Sequence, residues 1–146
     1  MSTVMGATSW LSGTNPHIRV YSLQSNGMLL ERCWDSNGWY TGALTNKFQA
    51  TTGAEATSWL DSTGQIHIRV YAVGTNGMIQ EYCWDKDSWY LGALCNKYTA
   101  SVAPGCTSWL VNGTIHIRVY AVDNTGVQKE YCWDGNTWSV GGYTQQ

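Results

Sequence analysis

A unit of about fifty residues recurs three times along this chain, and in each copy an Arg is followed twelve positions later by a Glu and then by two Trp. The three sets are Arg19, Glu31, Trp34 and Trp39; Arg69, Glu81, Trp84 and Trp89; and Arg118, Glu130, Trp133 and Trp138. Self-similarity at this period marks propellers, solenoids and pseudo-symmetric barrels, whose units cannot bury an apolar face alone. The repeat therefore constrains both the fold and the number of sites.

The segment His67 to Val73 alternates and is rich in β-branched and aromatic residues, as is Met78 to Trp84, whereas Gly interrupts every window long enough to sustain helical periodicity. In the second repeat this predicts four short strands, Ala56 to Leu60, Ile66 to Val73, Met78 to Trp84 and Trp89 to Leu94. Four strands per unit is the make-up of a propeller blade, so the chain reads as all-β, with blades over 1–50, 51–100 and 101–146. The turns Ser25-Asn26-Gly27, Thr75-Asn76-Gly77 and Asn124-Thr125-Gly126 fit a type I turn followed by a left-handed Gly. That loop sets Tyr71 opposite Glu81 and Ile68 opposite Trp84, with Arg69 one diagonal step from Glu81 on the same face. The Trp pair then points to the other face. One blade cannot gather its own Arg, Glu and Trp pair around a ligand, so the sites are expected between stacked blades.

Composition narrows the ligand. Only 12% of the 146 residues are charged and the net charge is −2, so no basic field exists for nucleic acid or an anionic membrane surface. Nine Trp stand against one Phe. Trp joins a flat apolar face to an N–H that needs a partner, which suits a surface that is half apolar and half hydroxylated. An Arg fork of donors beside Glu acceptors grips adjacent hydroxyls, and a Trp face covers aliphatic C–H groups, a combination that fits a neutral sugar. A purely structural alternative is an Arg–Glu ion pair between blades, lying over buried Trp.

Other chemistries find less support. Hydrolysis of a glycoside needs two positioned carboxylates, and each repeat offers one Glu; Asp35, Asp85 and Asp134 open a turn, where Asp is expected to cap backbone. His17, His67 and His116 recur once per repeat without a second ligand at zinc-like spacing, so a hydrogen-bonding role is expected, and no metal or cofactor. Cys33, Cys83 and Cys132 occupy one repeated position and read as buried free thiols; Cys95 and Cys106 are left open between a disulfide and free thiols. Met1 to Gly6 shows no basic start and apolar run, and no segment reaches the length that spans a bilayer. The expectation is a soluble protein, cytoplasmic or exported without a signal peptide.

The strings His-Ile-Arg-Val-Tyr, Glu-Arg-Cys-Trp-Asp and Trp-Tyr-Thr-Gly-Ala at 17 to 21, 31 to 35 and 39 to 43 closely resemble the fucose-binding lectins of the Aleuria aurantia and Ralstonia type, and the resemblance runs through all three repeats. It implies a six-bladed propeller with a fucose site between each pair of blades. In it, Arg and Glu would meet the ring oxygen and hydroxyls, one Trp would cover the methyl region, and a second would donate its indole N–H. By motif, the first site would take Arg19, Glu31 and Ala43 with Ile66, Ile68, Trp84 and Trp89. The second would take Arg69, Glu81 and Ala93 with Ile115, Ile117, Trp133 and Trp138. The third set, Arg118, Glu130 and Gly142, has no following blade and would borrow Ile18, Trp34 and Trp39 from another copy. Gly142 in place of Ala, and Pro16 where the other repeats have Ile66 and Ile115, depart from the motif and put this third site's strength in question.

Propellers mostly run from four to eight blades, and six is the one multiple of three in that range, so a head-to-tail homodimer is expected. Its expected partners are fucosylated glycans, including those of glycoproteins and glycolipids at cell surfaces, and a second copy of itself. The rival architecture is a sugar-binding β-trefoil, which closes as a monomer but is disfavoured by the four-strand reading and the absence of a Gln-x-Trp motif. The rival function is a structural or protein-binding propeller.

Overall fold

The computed structural model describes residues 4–144; Met1 to Thr3 of the N-terminal segment and residues 145 and 146 of the third repeat lie outside them. Twelve strands form three separate four-stranded antiparallel sheets, each built from strands in chain order. The first holds β1 (Gly6–Ser12), β2 (Asn15–Leu23), β3 (Leu29–Trp34) and β4 (Trp39–Thr41). The second holds β5 (Glu55–Leu60), β6 (Ile66–Val73), β7 (Ile79–Trp84) and β8 (Trp89–Leu91), and the third holds β9 (Gly105–Val111), β10 (Thr114–Val122), β11 (Gln128–Trp133) and β12 (Trp138–Val140). The sheets stand side by side as blades, β1 against β5 and β5 against β9. Hydroxyl pairs tie these inner strands together, Thr8 with Ser58 at 2.6 Å and Thr57 with Ser108 at 2.5 Å. Three self-contained four-stranded meanders are a propeller arrangement, and the trefoil alternative is set aside.

The hairpin registers agree with the turn chemistry. Tyr71 pairs with Glu81 and Ile68 with Trp84, and the same offsets recur as Tyr21 with Glu31 and Tyr120 with Glu130. Gly77 sits at φ 75°, the left-handed position that the three-residue loop requires. The fourth strand is shorter than the sequence suggests and ends at Leu91 rather than Leu94. The cause is Gly92, above the buried Glu81: a Cβ there would fall on Glu81 Oε1. The backbone turns out of the sheet at this point, the Gly92 amide bonding to the Glu81 carbonyl at 2.8 Å and the Leu94 amide to Glu81 Oε1 at 3.2 Å.

No blade owns a core. One cluster joins Tyr21, Leu29 and Leu44 of the first blade to Ile68, Val70, Tyr82 and Trp89 of the second. The next joins Tyr71, Ile79 and Leu94 to Ile117, Val119, Tyr131 and Trp138 of the third. Rings stack across both junctions, Phe48 on Tyr82 at 4.2 Å and Tyr98 on Tyr131 at 3.9 Å. Each large side chain buried this way contributes about 1.5–3 kcal/mol, so stacking is where the stability resides. All five Cys are free thiols, which settles the open pair: the Cys95 thiol donates to the Glu81 carbonyl, and burial pushes the Cys106 thiol up to about 12.

Because Glu81 is pinned and cannot yield, Gly92→Ala is expected to destabilise the fold by about 1–3 kcal/mol, as overpacking does. Gly142→Ala, whose Cβ meets open space, serves as the neutral comparison in the same urea titration.

Candidate functional site

Alternation along β2 sets His17, Arg19 and Tyr21 on one side of the first blade and Ile18 and Val20 on the other. Arg19 does not pair with Glu31. Its Nη1 donates to Asp35 Oδ1 at 2.8 Å and to the Ile18 carbonyl at 3.0 Å, His17 Nδ1 lies 2.6 Å from the same Asp35 oxygen, and the Tyr40 hydroxyl donates to Asp35 Oδ2. Trp10 lies under this group, parallel to His17 at 5.2 Å and 4.9 Å from the Arg19 guanidinium carbon. The second blade repeats the set with Trp59, His67, Arg69, Asp85 and Tyr90, and the third with Trp109, His116, Arg118 and Asp134. The three Asp are therefore not the backbone caps that their turn position suggests. They anchor the Arg side chains, and the His take the hydrogen-bonding role expected of them. Against the upward push of burial, bonds from Arg19, Tyr40 and His17 hold the Asp35 carboxyl well below the usual range.

Glu31 faces a different environment. It is buried, receives the Tyr21 hydroxyl at 2.9 Å on Oε2 and the Leu44 amide at 3.1 Å on Oε1, and Glu81 receives Tyr71 and Leu94 alike. Burial pushes both carboxyls up, partly opposed by these donors. At the open edge of the third blade, Tyr120 and the Tyr143 amide bond Glu130 without that cover, and its carboxyl moves down instead.

Two of the cavities between the blades gather the predicted site residues. The first, about 190 Å3, brings together Arg19, Glu31 and Ala43 with Ile66, Ile68, Trp84 and Trp89, and adds Trp10 and Tyr40. The second, about 540 Å3, brings together Arg69, Glu81 and Ala93 with Ile115, Ile117, Trp133 and Trp138, and adds Tyr90. The Trp pairs are tilted neighbours, 5.8 Å apart for Trp84 and Trp89 and 5.9 Å for Trp133 and Trp138. Trp89 also meets Tyr21 of the preceding blade edge-on at 6.1 Å, as Trp138 meets Tyr71 at 6.3 Å. The second cavity is also lined by Gly113, Thr114 and Gly135 of the third blade.

The third set is not brought together within one chain. Arg118, Glu130 and Gly142 line one outer face, and Ile18, Trp34 and Trp39 line the opposite one. Trp39 is 47% exposed, against 8% for Trp89 and 6% for Trp138, which a neighbouring blade covers. The Trp10, Tyr40 and Asp35 positions escaped the motif reading. Their signal was present, since a third Trp recurs after Thr-Ser in each repeat and an Asp follows each Trp34-type residue. Among the described residues no cluster of His, Cys, Asp and Glu could hold a metal ion, and no helix is long and apolar enough to cross a membrane.

A family model described as the fungal fucose-specific lectin matches residues 1–145. The chain belongs to that lectin family. A fucose-specific lectin of Aleuria aurantia is 34% identical over 59 residues, a match spanning 40% of this chain and 19% of that protein. A solved fucose lectin from Kordia zhangzhouensis, in complex with methyl-fucoside, is 66% identical with a TM-score of 0.94, covering 96% of this chain and all of that one. An Aleuria aurantia lectin structure described as a six-bladed β-propeller superposes at a TM-score of 0.64 with 21% identity, over 97% of this chain and 64% of that one. Against the Aleuria lectins, then, the chain spans only part of the length and supplies a three-bladed portion of the ring.

The carboxyl environments order the titration. Stabilisation from Asp35 and Asp85 is complete above the ordinary Asp value of about 3.9 and is lost only as pH falls well below it. Glu31 and Glu81 have the opposite sign: their protonated forms favour the fold, and this contribution disappears as pH rises through their raised values. In a carboxyl 13C NMR titration, Glu31 and Glu81 should take up protons above the ordinary Glu value of about 4.3, and Asp35 and Asp85 below the ordinary Asp value of about 3.9; Glu31 and Glu81 titrating below the ordinary Glu value would show that the cover by the next blade is absent in solution.

Proposed function

We propose that this protein is a multivalent lectin that binds L-fucose and fucosylated glycans non-covalently in the clefts between adjacent blades. One observation carries the reading: the Arg and Glu of one blade face the Ile and Trp of the next across a cavity of sugar size. The Asp anchor holds the guanidinium in place, so its remaining N–H groups are aimed at ligand with little ordering left to do. Glu31 supplies acceptor capacity for a hydroxyl donating toward the cleft, and Arg19 supplies donors for the neighbouring oxygen. Ile66, Ile68 and the Trp faces give the apolar wall that a methyl-bearing sugar requires. Family membership and the methyl-fucoside held by the Kordia lectin support fucose as that sugar.

A binding rather than a hydrolytic role follows from the carboxylates. Hydrolysis needs a free pair flanking the bond, and here the Asp of each blade is committed to Arg and His while one Glu remains per cleft.

The assembly that fits is a head-to-tail ring of two chains, with residues 1–50, 51–100 and 101–146 as the blades of each. The exposed Trp39 face of one copy is then covered by the Arg118 and Glu130 face of the other, completing two further clefts. Linked sites on one ring raise avidity for clustered glycans by about 10²–10⁴. Glycoproteins and glycolipids are the carriers of such clusters.

Titration calorimetry with L-fucose tests this. About three sugars per chain are expected, one for each cleft of a closed ring. Arg69→Ala removes charge-assisted bonds of about 1.5–3 kcal/mol each, so it should weaken its cleft at least tenfold and bring the count toward two. A folded protein that gives no heat with fucose overturns the reading.

A further inference from the structure

The two outer faces differ from the inner ones in a paired way. Within the chain, each junction buries Leu29 and Leu44, or Ile79 and Leu94, at 0% exposure, against Ala72 and Tyr82, or Ala121 and Tyr131, of the following blade. Register identifies the outer equivalents. Gln128 pairs with Val122 as Leu29 pairs with Leu23 and Ile79 with Val73, and the Tyr143 amide bonds Glu130 as Leu44 and Leu94 bond theirs. On the opposite face, Arg32 pairs with Val20 as Tyr82 pairs with Val70, and Ser22 takes the place of Ala72 and Ala121.

All four positions have turned polar or gained a polar group, and only at the faces without an in-chain neighbour. Gln128 and Tyr143 are exposed and bonded to each other, the Tyr143 hydroxyl donating to Gln128 Oε1 at 3.0 Å. Arg32 is half-buried and donates to Thr41 Oγ1 at 2.8 Å. Polar groups that already have partners and water lose part of that solvation when a seam closes over them, so this seam gains less from burial than the apolar junctions do. The occupant that fits is a second copy, because the two faces carry the two halves of a cleft: Arg118 and Glu130 on one, Trp34 and Trp39 on the other.

Resting on the proposed lectin reading, we infer that the copy-to-copy seam is a weakened, reversible junction, and that sugar bound in the two clefts it completes draws the ring closed. The linkage is thermodynamic. In-chain clefts exist in monomer and dimer alike, so filling them leaves the dimer equilibrium unmoved. Seam clefts exist only in the dimer, so each multiplies dimer stability by one plus the ratio of sugar concentration to its dissociation constant. With two such clefts, sugar at ten times that constant lowers the dimer dissociation constant about a hundredfold.

Sedimentation velocity on a dilution series of the full chain, with L-fucose or with D-glucose as an inert sugar, measures this, and calorimetry on the same samples reports cleft filling. Fucose should tighten the dimer about a hundredfold in the wild type and in Arg69→Ala, and only about fourfold or less in Arg118→Ala, whose seam clefts bind at least tenfold more weakly. Gln128→Leu combined with Tyr143→Leu, which restores the apolar pattern, should tighten the sugar-free dimer. A dimer constant indifferent to fucose while the in-chain clefts fill overturns the inference without touching the lectin reading, as does a sugar-free dimer that never dissociates down to nanomolar concentration. A looser dimer from the double Leu variant also overturns it. No fucose bound at any cleft removes the lectin reading itself.

Discussion

Covering Glu31 and Glu81 with the next blade fixes much of the geometry around them. A carboxylate removed from water is costly unless its oxygens are bonded, and each blade answers with a tyrosine hydroxyl from the paired position on the adjacent strand and a backbone amide arriving from beyond the fourth strand. For that amide to arrive, the chain must pass directly over the carboxylate, and only a residue without a side chain passes there. Gly42, Gly92 and Gly141 hold that position in the three blades. The short fourth strand, the turn that follows it and the placement of Ala43 and Ala93 at the cleft wall all descend from one buried acid.

Two acids per blade divide the work. Asp35, Asp85 and Asp134 neutralise and aim the guanidinium, while the Glu stays uncommitted to any cation. Had Arg19 paired with Glu31 instead, donor and acceptor would satisfy each other and the cleft would present little to a hydroxyl. The indole beneath the guanidinium holds it from the other side, so the cation is fixed by a carboxylate, a ring and a main-chain carbonyl before any ligand arrives.

What the sequence made legible was periodic. Alternation and the Asn-Gly type turns define strands, register and the face of each side chain, because those depend on neighbours within one hairpin. The division of the clefts between blades follows from that alone, and the family resemblance adds the sugar. Less legible were properties that depend on contacts distant in sequence. Asp35 sits at a turn where local chemistry suggests capping, and nothing nearby reveals that a histidine eighteen positions earlier and an arginine sixteen positions earlier converge on it. Trp10 lies on the inner strand, outside the spacing that linked the other two indoles to the Arg. Leu94 continues an apolar pattern that suggests a longer fourth strand, whereas a steric limit at Gly92 decides where pairing stops.

The two in-chain clefts share their chemistry but not their rims. Asn112 and Gly113 make a tight turn with both residues at positive φ, while the matching hairpin of the second blade is one residue longer and braced by the Asp61 carboxylate. The tight turn lines the second pocket through Gly113 and Thr114. Duplication followed by drift in a single exposed loop is enough to make the hairpins of successive blades unlike without disturbing the residues beneath.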